Sequence, residues 1–134
     1  MVSFIAGQKG EGKTKRLIGL ANDNAARTDG HLVFIDDDRR HTREINREIR
    51  FVEAGKGILS NYREFIGFIL GILSQNSDIK HIYVDGLTNI VKTVDNEALV
   101  KLTVRLSKMD EVDYTININC DKESLPEEVK ALLV

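Results

Sequence analysis

The segment that most constrains this chain is residues 7–14, which read GQKGEGKT. It follows a short run of strand-forming residues, VSFIA at positions 2–6, and precedes a helical pattern of apolar residues. Glycines let the backbone curl so that successive N–H groups point into one concavity, and the N-terminus of the next helix adds positive charge there. The pattern GxxxxGK[ST] between a strand and a helix therefore predicts a loop that binds phosphate groups.

Two side chains of this loop have expected roles of their own. Lys13 is expected to reach the β- and γ-phosphates of a nucleoside triphosphate, and the Thr14 hydroxyl is expected to bind Mg²⁺. The residues that we expect to contact the nucleotide are Gly7, Gln8, Lys9, Gly10, Glu11, Gly12, Lys13, Thr14 and Lys15.

A second part of the site is predicted at the end of another apolar run. Residues 81–85 read HIYVD, the pattern of a buried strand that ends in a carboxylate. We interpret Asp85 as the acid that holds Mg²⁺ next to Thr14. The residues that follow it, GLTN, include no carboxylate that could polarise water, so the sequence does not predict fast hydrolysis.

Three consecutive acids follow the run LVFI at residues 36–38. Parallel α/β sheets bind their ligands at the carboxyl ends of the strands, so Asp36 and Asp38 are candidate catalytic residues that could orient water. The alternative is that these carboxylates cap a helix that begins near Arg39. The sequence leaves both interpretations open.

The pattern of the whole chain predicts an α/β fold. Four short strand-like runs, at residues 2–6, 31–35, 80–84 and 114–118, alternate with longer helical patterns. Such alternation is typical of βαβ units, so we expect a three-layer fold with a mainly parallel sheet of four to five strands. No linker or repeat divides residues 1–134, which predicts a single domain. Because the run TINI is the least apolar, it is expected near a sheet edge.

Helix ends can also be read from the sequence. The first helix is expected to begin in the turn at residues 12–14 and to end at Gly30. Two further helices are expected to be capped, one by Asn61 and the other by Asp95 or Asn96. A last helix is expected to be opened by Ser124 with Glu127 and to continue through Leu133. The segment HTREINREIR at residues 41–50 predicts another helix, and RFVEAG after it predicts a short strand or a loop.

Composition excludes several kinds of protein. There are 19 Lys and Arg against 21 Asp and Glu, so a protein that binds nucleic acid through overall positive charge is not expected. The single cysteine, Cys120, excludes an internal disulfide framework and a multi-cysteine zinc site. The longest apolar run is well short of the ~20 residues of a membrane span, and the first residues lack a signal-peptide pattern. We therefore expect a cytoplasmic protein without a membrane span.

Two further features each have two interpretations. Five arginines at positions 39, 40, 43, 47 and 50 could face nucleic acid, but a solvated helix with internal ion pairs is favoured. Gly67 and Gly71 have a GxxxG spacing, for which close packing against the sheet is favoured over a homodimer face.

With these elements in place, the chain resembles the P-loop NTPase superfamily over its whole length. The segments GQKGEGKTKRLIGLAN, VFIDDDRRHTREINREIR, IYVDGLTNIVK and TININCDKESLPEEVKALL are similar to short ATP-binding proteins of clostridial type that are often labelled "twitching motility protein". That resemblance implies a minimal ATP-binding domain with ATP and Mg²⁺ as cofactors.

A more distant resemblance is to the MinD/ParA-type ATPases, which position bacterial cargo as ATP-sandwich dimers. They share the phosphate loop, the following helix and a strand like LVFIDDD that ends in acids. Their signature lysine is the second residue of the loop, where this chain has Gln8, with Lys9 one place later. The resemblance implies a homodimer. The lysine one place later in the loop departs from the family pattern, in which the signature lysine belongs to the dimer switch.

The sequence as a whole favours a nucleotide-dependent switch or assembly ATPase with slow or partner-stimulated hydrolysis. Its partners are then a nucleotide, a protein not identified from sequence, and a second copy in a homodimer. The alternatives are a small-molecule kinase with its acceptor near residues 36–40, and an ATPase that works on nucleic acid.

Overall fold

Five parallel strands form one sheet in the computed structural model, which describes residues 1–134. The spatial order is β1-β5-β4-β2-β3, so β1, the strand before the glycine-rich loop, lies at one edge. The strands are β1 (Val2–Gly7), β2 (His31–Asp36), β3 (Ile49–Glu53), β4 (Ile79–Val84) and β5 (Asp113–Asn119). The predicted α/β fold with a parallel sheet of four to five strands is confirmed.

Helices cover both faces of this sheet and make the fold three-layered. One face is covered by α1 (Lys13–Ala25), and the other by the remaining helices. These are α2 (Tyr62–Ser74), α3 (Leu87–Ile90), α4 (Asn96–Ser107) and α5 (Glu127–Lys130). Two short 3₁₀ turns, Thr42–Glu44 and Lys122–Ser124, complete the chain. None of the helices has the length and hydrophobicity needed to cross a bilayer.

The two faces have separate apolar cores of different size. The face under α2, α3 and α4 has a cluster of 24 buried residues, whereas the face under α1 has one of nine. Successive strand residues point to opposite faces, so β1, β2 and β4 contribute to both clusters. On β2, for example, Val33 and Ile35 belong to the larger cluster and Leu32 and Phe34 to the smaller.

The first helix begins at Lys13 as predicted; of the predicted side-chain caps, two are confirmed and the last one is wrong. The Asn61 side chain accepts a hydrogen bond from Glu64 N at 3.1 Å, and that of Asp95 accepts one from Ala98 N at 2.8 Å. Pro126 precedes α5 and no side chain caps it. The helix ends at Lys130, because the chain then pairs with the outer edge of β1, where Phe4 N donates to the Leu132 carbonyl.

The helix predicted for residues 41–50 does not form. Only one 3₁₀ turn is present, and residues 49–53 form β3, which extends the sheet beside β2. The backbone of residues 49–53 pairs with β2 instead, and Ile45 and Ile49 are buried in the core under α1. The internal ion pairs expected of that helix are also absent. Arg39 instead contacts Glu53 at 3.7 Å.

Three other expectations are wrong in detail. The first helix ends at Ala25 rather than at residue 30. The TINI strand, β5, lies between β1 and β4 and not at the edge. Gly67 and Gly71 are exposed, and a Cβ built on either would meet nothing within 4 Å, so they do not pack against the sheet. The homodimer alternative for that pair remains a prediction.

Candidate functional site

The glycine-rich loop joins β1 to α1 at the carboxyl end of the sheet. Gly10 and Gly12 have φ angles of 90° and 80°, a left-handed conformation that other residues rarely adopt. Gly12 is the N-cap of α1, and no side chain caps the helix. Since the first turn of α1 also contains no acidic residue, its free N–H groups and positive dipole end are available to an anion.

Lys13 folds back over this loop. Its side chain is 9% exposed, and its ammonium group donates to the Gln8 carbonyl oxygen at 2.8 Å. No carboxylate lies within ion-pair distance of it. A buried charge without a counter-ion is costly, so an anion bound in the loop would be stabilised by Lys13.

Asp85 lies directly beside Thr14, as the sequence predicts. The Thr14 hydroxyl donates to the Asp85 carboxylate, at 3.0 Å to Oδ2 and 3.2 Å to Oδ1. Asn117 Nδ2 donates to Asp85 Oδ1 at 2.8 Å. Asp85 is only 7% exposed and has no cationic partner, so hydrogen bonds alone hold its side chain.

Asn117 is a site residue that the sequence argument missed. It lies on β5, the strand between β1 and the strand that ends beside Asp85. Its Oδ1 atom is buried and has no hydrogen-bond partner. The signal was present as a polar residue inside an apolar run, but it was interpreted as the mark of an edge strand. In the structure it marks the one polar position of β5 that faces Asp85.

The three consecutive acids lie at the end of β2. Their carboxylate oxygens lie within 4.8 Å of one another. Asp36 and Asp37 are buried, and each has one oxygen without a hydrogen-bond partner. No helix begins at Arg39, so the interpretation of this group as a helix cap is wrong. Asp38 accepts instead from Arg40 N and pairs with the Arg40 guanidinium at 2.8 Å.

The first and third of these acids differ in their protonation. Burial, and then the neighbouring Asp37 and Asp85 carboxyls, raise the pKa of Asp36 to about 8. The hydrogen bond from the Arg40 backbone and the Arg40 charge lower the pKa of Asp38. At neutral pH Asp36 is therefore protonated and Asp38 is ionised, although they are two residues apart.

These groups line a single open cleft of about 460 Å³. Of the predicted site residues it includes Lys9, Gly10, Gly12, Lys13, Thr14, Lys15, Asp36 and Asp85. The other lining residues are Ile18, Asp37, Arg40, His41, Glu44, Gly86, Asn89 and Asn119. The lining is almost wholly polar and is drawn from four of the five strand ends or the loops after them.

Four predicted residues are not brought to the cleft lining: Gly7, Gln8, Glu11 and Asp38. Glu11 turns back onto its own loop, where its carboxylate accepts a hydrogen bond from Gln8 N at 3.0 Å. The same carboxylate lies against Gly7, where a Cβ atom would be 2.9 Å from Oε2. A side chain at Gly7 would therefore displace Glu11.

Comparison with known proteins adds no relative to this description. No protein-family model matches the chain, and no curated protein matches it. The function must therefore be argued from the cleft itself.

Proposed function

We propose that the cleft binds a nucleoside triphosphate, Mg·ATP, and that the protein is a nucleotide-dependent switch or assembly ATPase with slow or partner-stimulated hydrolysis. The observation that carries the proposal is the meeting of three groups. They lie together at the N-terminus of α1 and are the Lys13 ammonium, which has no counter-ion, the Thr14 hydroxyl and the buried Asp85 carboxylate. This is the set of groups that triphosphate recognition requires.

The loop supports the phosphate part of the proposal. The turn of glycines leaves backbone N–H groups and a helix N-terminus for the phosphate oxygens. Lys13 adds a charge-assisted hydrogen bond, and Lys9 and Lys15 bring two exposed positive charges to the mouth of the cleft. Together they give a site for a polyanion in a chain whose net charge is −2.

The residues beside the loop fit Mg²⁺. Asp85 is a buried carboxylate without a cation, and the hydroxyl that contacts it belongs to Thr14. Oxygen ligands of these two kinds are those that Mg²⁺ prefers in phosphate sites. When bound, the ion would neutralise charge on the phosphate groups, and Asn117 would hold the Asp85 carboxylate in position.

Slow hydrolysis follows from the acids around the cleft. No carboxylate follows Asp85 in the sequence GLTN, and Asp36, the buried acid of the neighbouring strand, has its pKa raised to about 8. A protonated carboxyl cannot accept a proton from water, so Asp36 is a poor general base at neutral pH. A partner that changes the burial of Asp36 would change this, which is why we propose stimulated turnover.

A small-molecule kinase is a second candidate that the same acids favour. A general base works best when its pKa lies near the working pH, and Asp36 satisfies this in mildly alkaline conditions. Asp37 and Arg40 line the same cleft and would hold an acceptor. An ATPase that works on nucleic acid is less favoured, because the expected arginine helix does not form and Arg39 and Arg40 pair with Glu53 and Asp38.

Calorimetric titration with Mg·ATP tests the proposal. We expect saturable binding that Lys13→Ala weakens by about 10- to 100-fold, since hydrogen bonds to charged groups contribute ~1.5–3 kcal/mol. Asp85→Asn should abolish the gain in affinity that Mg²⁺ gives to wild type. Lys108→Ala, at an exposed lysine outside the cleft, is the matched control and should bind as wild type does.

Binding and turnover together separate the candidate functions. Failure of the wild type to bind ATP at millimolar concentration would refute the nucleotide proposal for this chain. If ATP binds, release of ADP is then measured for the protein alone, with small hydroxyl acceptors and with a polynucleotide. Turnover that requires a small acceptor would favour the kinase, and turnover that requires the polynucleotide would favour the nucleic-acid ATPase.

A further inference from the structure

A second polar pocket lies on the same face of the sheet, along the length of α1. It is a groove of about 290 Å³ between α1 and the strands β1, β4 and β5, here called the α1 groove. Its polar lining includes Arg16, Asn24 and Arg27 from α1 and the residues after it, and His81, Tyr83 and Thr115 from the strands. It shares no residue with the phosphate cleft.

The floor of the α1 groove is a connected and neutral hydrogen-bond network. The His81 ring stacks on the Tyr83 ring with 4.1 Å between centroids and an interplanar angle of 4°. Asn24 Nδ2 can only donate, so at 3.4 Å from His81 Nδ1 it makes that nitrogen an acceptor. His81 Nε2 then carries the hydrogen and donates to Thr115 Oγ1 at 2.8 Å. Burial lowers the pKa of His81 to about 4, which agrees with a neutral ring.

The rim of the α1 groove carries two arginines. Arg27 has no carboxylate within ion-pair distance and donates from Nε to the Asp23 carbonyl, so its other N–H groups are free. Arg16 donates from Nη1 to a backbone oxygen of Val134 at 2.8 Å and keeps further N–H groups. The carboxylate of Asp113, on β5 nearby, is neutralised by the Met1 amino group at 2.9 Å.

One hydrogen-bond donor on the floor is also unused. The Tyr83 hydroxyl accepts from Asn24 Nδ2 at 2.9 Å, and its own proton has no acceptor among the hydrogen bonds of the structure. Polar side chains this deep under a helix are uncommon, because a helix normally covers a sheet with apolar residues. A neutral floor with a free hydroxyl proton, below the Arg27 guanidinium and the remaining N–H groups of Arg16, is complementary to a small anion.

We propose that the α1 groove is a second binding site, for a small molecule that carries a phosphate or carboxylate group, with Arg16, Arg27 and the Tyr83 hydroxyl as the groups that recognise it. Guanidinium groups suit both anions, because their N–H groups match two oxygens at once. The volume corresponds to a small metabolite, near the lower end of the range for ligand pockets. The proposal does not depend on nucleotide binding in the cleft.

Nuclear magnetic resonance titration tests this site separately from the cleft. The probes are methyl phosphate and succinate, added one at a time without Mg²⁺. Signals of His81, Thr115 and Asn24 report on the α1 groove, whereas the amides of Gly10 and Gly12 report on the phosphate loop. We expect a saturable shift of the groove signals with at least one probe, and the tighter probe identifies the anionic group.

Variants decide whether the response belongs to the proposed groups. Arg27→Gln should weaken the fitted affinity at the groove by at least about tenfold, the loss expected for a charge-assisted hydrogen bond. Tyr83→Phe, which keeps the ring stack on His81, should weaken it by less. Arg63→Gln, at an exposed arginine of α2 that has no ion pair and lies outside the groove, should have no effect. Groove signals that do not saturate with either probe, or that respond equally in Arg27→Gln, would overturn the proposal.

Discussion

The two faces of the sheet are built from the same strands and have opposite characters. On β4, Ile82 and Val84 point into the larger core under α2 and α4, while His81, Tyr83 and the following Asp85 point toward α1. On β5 the same alternation separates Tyr114, Ile116 and Ile118 from Thr115 and Asn117. The first face is an apolar interior, and the second places hydrogen-bonded and charged groups beside a helix.

This difference shows how stability and function are divided in so small a chain. Buried polar groups reduce stability unless every one of them is paired. Four buried side-chain atoms have no hydrogen-bond partner, and three of them, on Asp36, Asp37 and Asn117, lie on or next to the α1 face. The apolar face must therefore contribute most of the stability. Substitutions on one face should change stability, and those on the other should change chemistry and pH dependence.

The largest effect is expected on the apolar face. Leu102 of α4 is fully buried in the larger core, so Leu102→Ala should lower the free energy of unfolding by about 2–5 kcal/mol. That corresponds to a fall in Tm of roughly 10 °C or more. Val104→Ala, two residues along the same helix at a side chain that is 48% exposed, should change stability by less than about 0.5 kcal/mol.

Thermal unfolding followed by circular dichroism measures both changes, and Mg·ATP titration of each folded variant completes the test. We expect Leu102→Ala to bind nucleotide as wild type does at a temperature at which it is folded. A variant that unfolds easily and also loses affinity while folded would break the division between the two faces.

The next largest effect is a gain in stability, and it is expected from a substitution on the polar face. Asp36 keeps its proton up to a pKa of about 8 in the folded protein, against an ordinary value of 3.8. Unfolding therefore releases a proton between these pH values, and the Asp36 contribution makes the protein less stable as pH rises from about 4 to 8. Asp36→Asn removes this titration and should raise Tm above that of wild type at pH 8–9 by about 3 °C or more.

Asp38→Asn is the matched control for that measurement. The pKa of Asp38 is lowered by Arg40, so its ionised form stabilises the fold above its ordinary pKa. Its loss should reduce Tm slightly at alkaline pH, and both melts are made in EDTA. A lower Tm for Asp36→Asn than for wild type at pH 8–9 would mean that Asp36 is ionised and paired in the folded state.

The sequence predicted the elements whose signals are local. The glycine-rich loop, the caps at Asn61 and Asp95 and four strands were all identified, because turn and cap chemistry depends on neighbouring residues. The fifth strand, residues 49–53, is only partly predicted, because its first two residues fall in the expected helix and the following segment RFVEAG is compatible with a short strand or a loop. Its pattern of charged and apolar residues fits the period of a helix as well as that of a strand, and only pairing with β2 decides between them.

The candidate site divides in the same way. The approach of Thr14 to Asp85 could be predicted, because both follow the carboxyl end of a parallel strand. The role of Asn117 could not, since it depends on β5 lying between β1 and β4, and strand order is not written in any local pattern. The protonation of Asp36 likewise results from burial by the rest of the chain.

The smallest effect tests the outer surface of the apolar face. Gly71 lies inside α2, is exposed, and has open space where a Cβ would be. Alanine loses less backbone entropy than glycine in a helix, so Gly71→Ala should stabilise the chain by about 0.5–1 kcal/mol. Thermal unfolding at two protein concentrations is the measurement, with sedimentation to report the mass of the particle.

Gly12→Ala is the contrasting variant, since Gly12 has a φ angle of 80° and the same change there should destabilise the loop.

The sign of the stability change caused by Gly71→Ala distinguishes a free surface from an interface. If Gly71 and Gly67 allow a second copy to pack closely, an added methyl group would separate the two helices. Gly71→Ala would then lower Tm, most strongly at high protein concentration, and shift the particle toward the monomer mass. Stabilisation independent of concentration would instead leave α2 facing solvent and remove the basis for a homodimer through this helix.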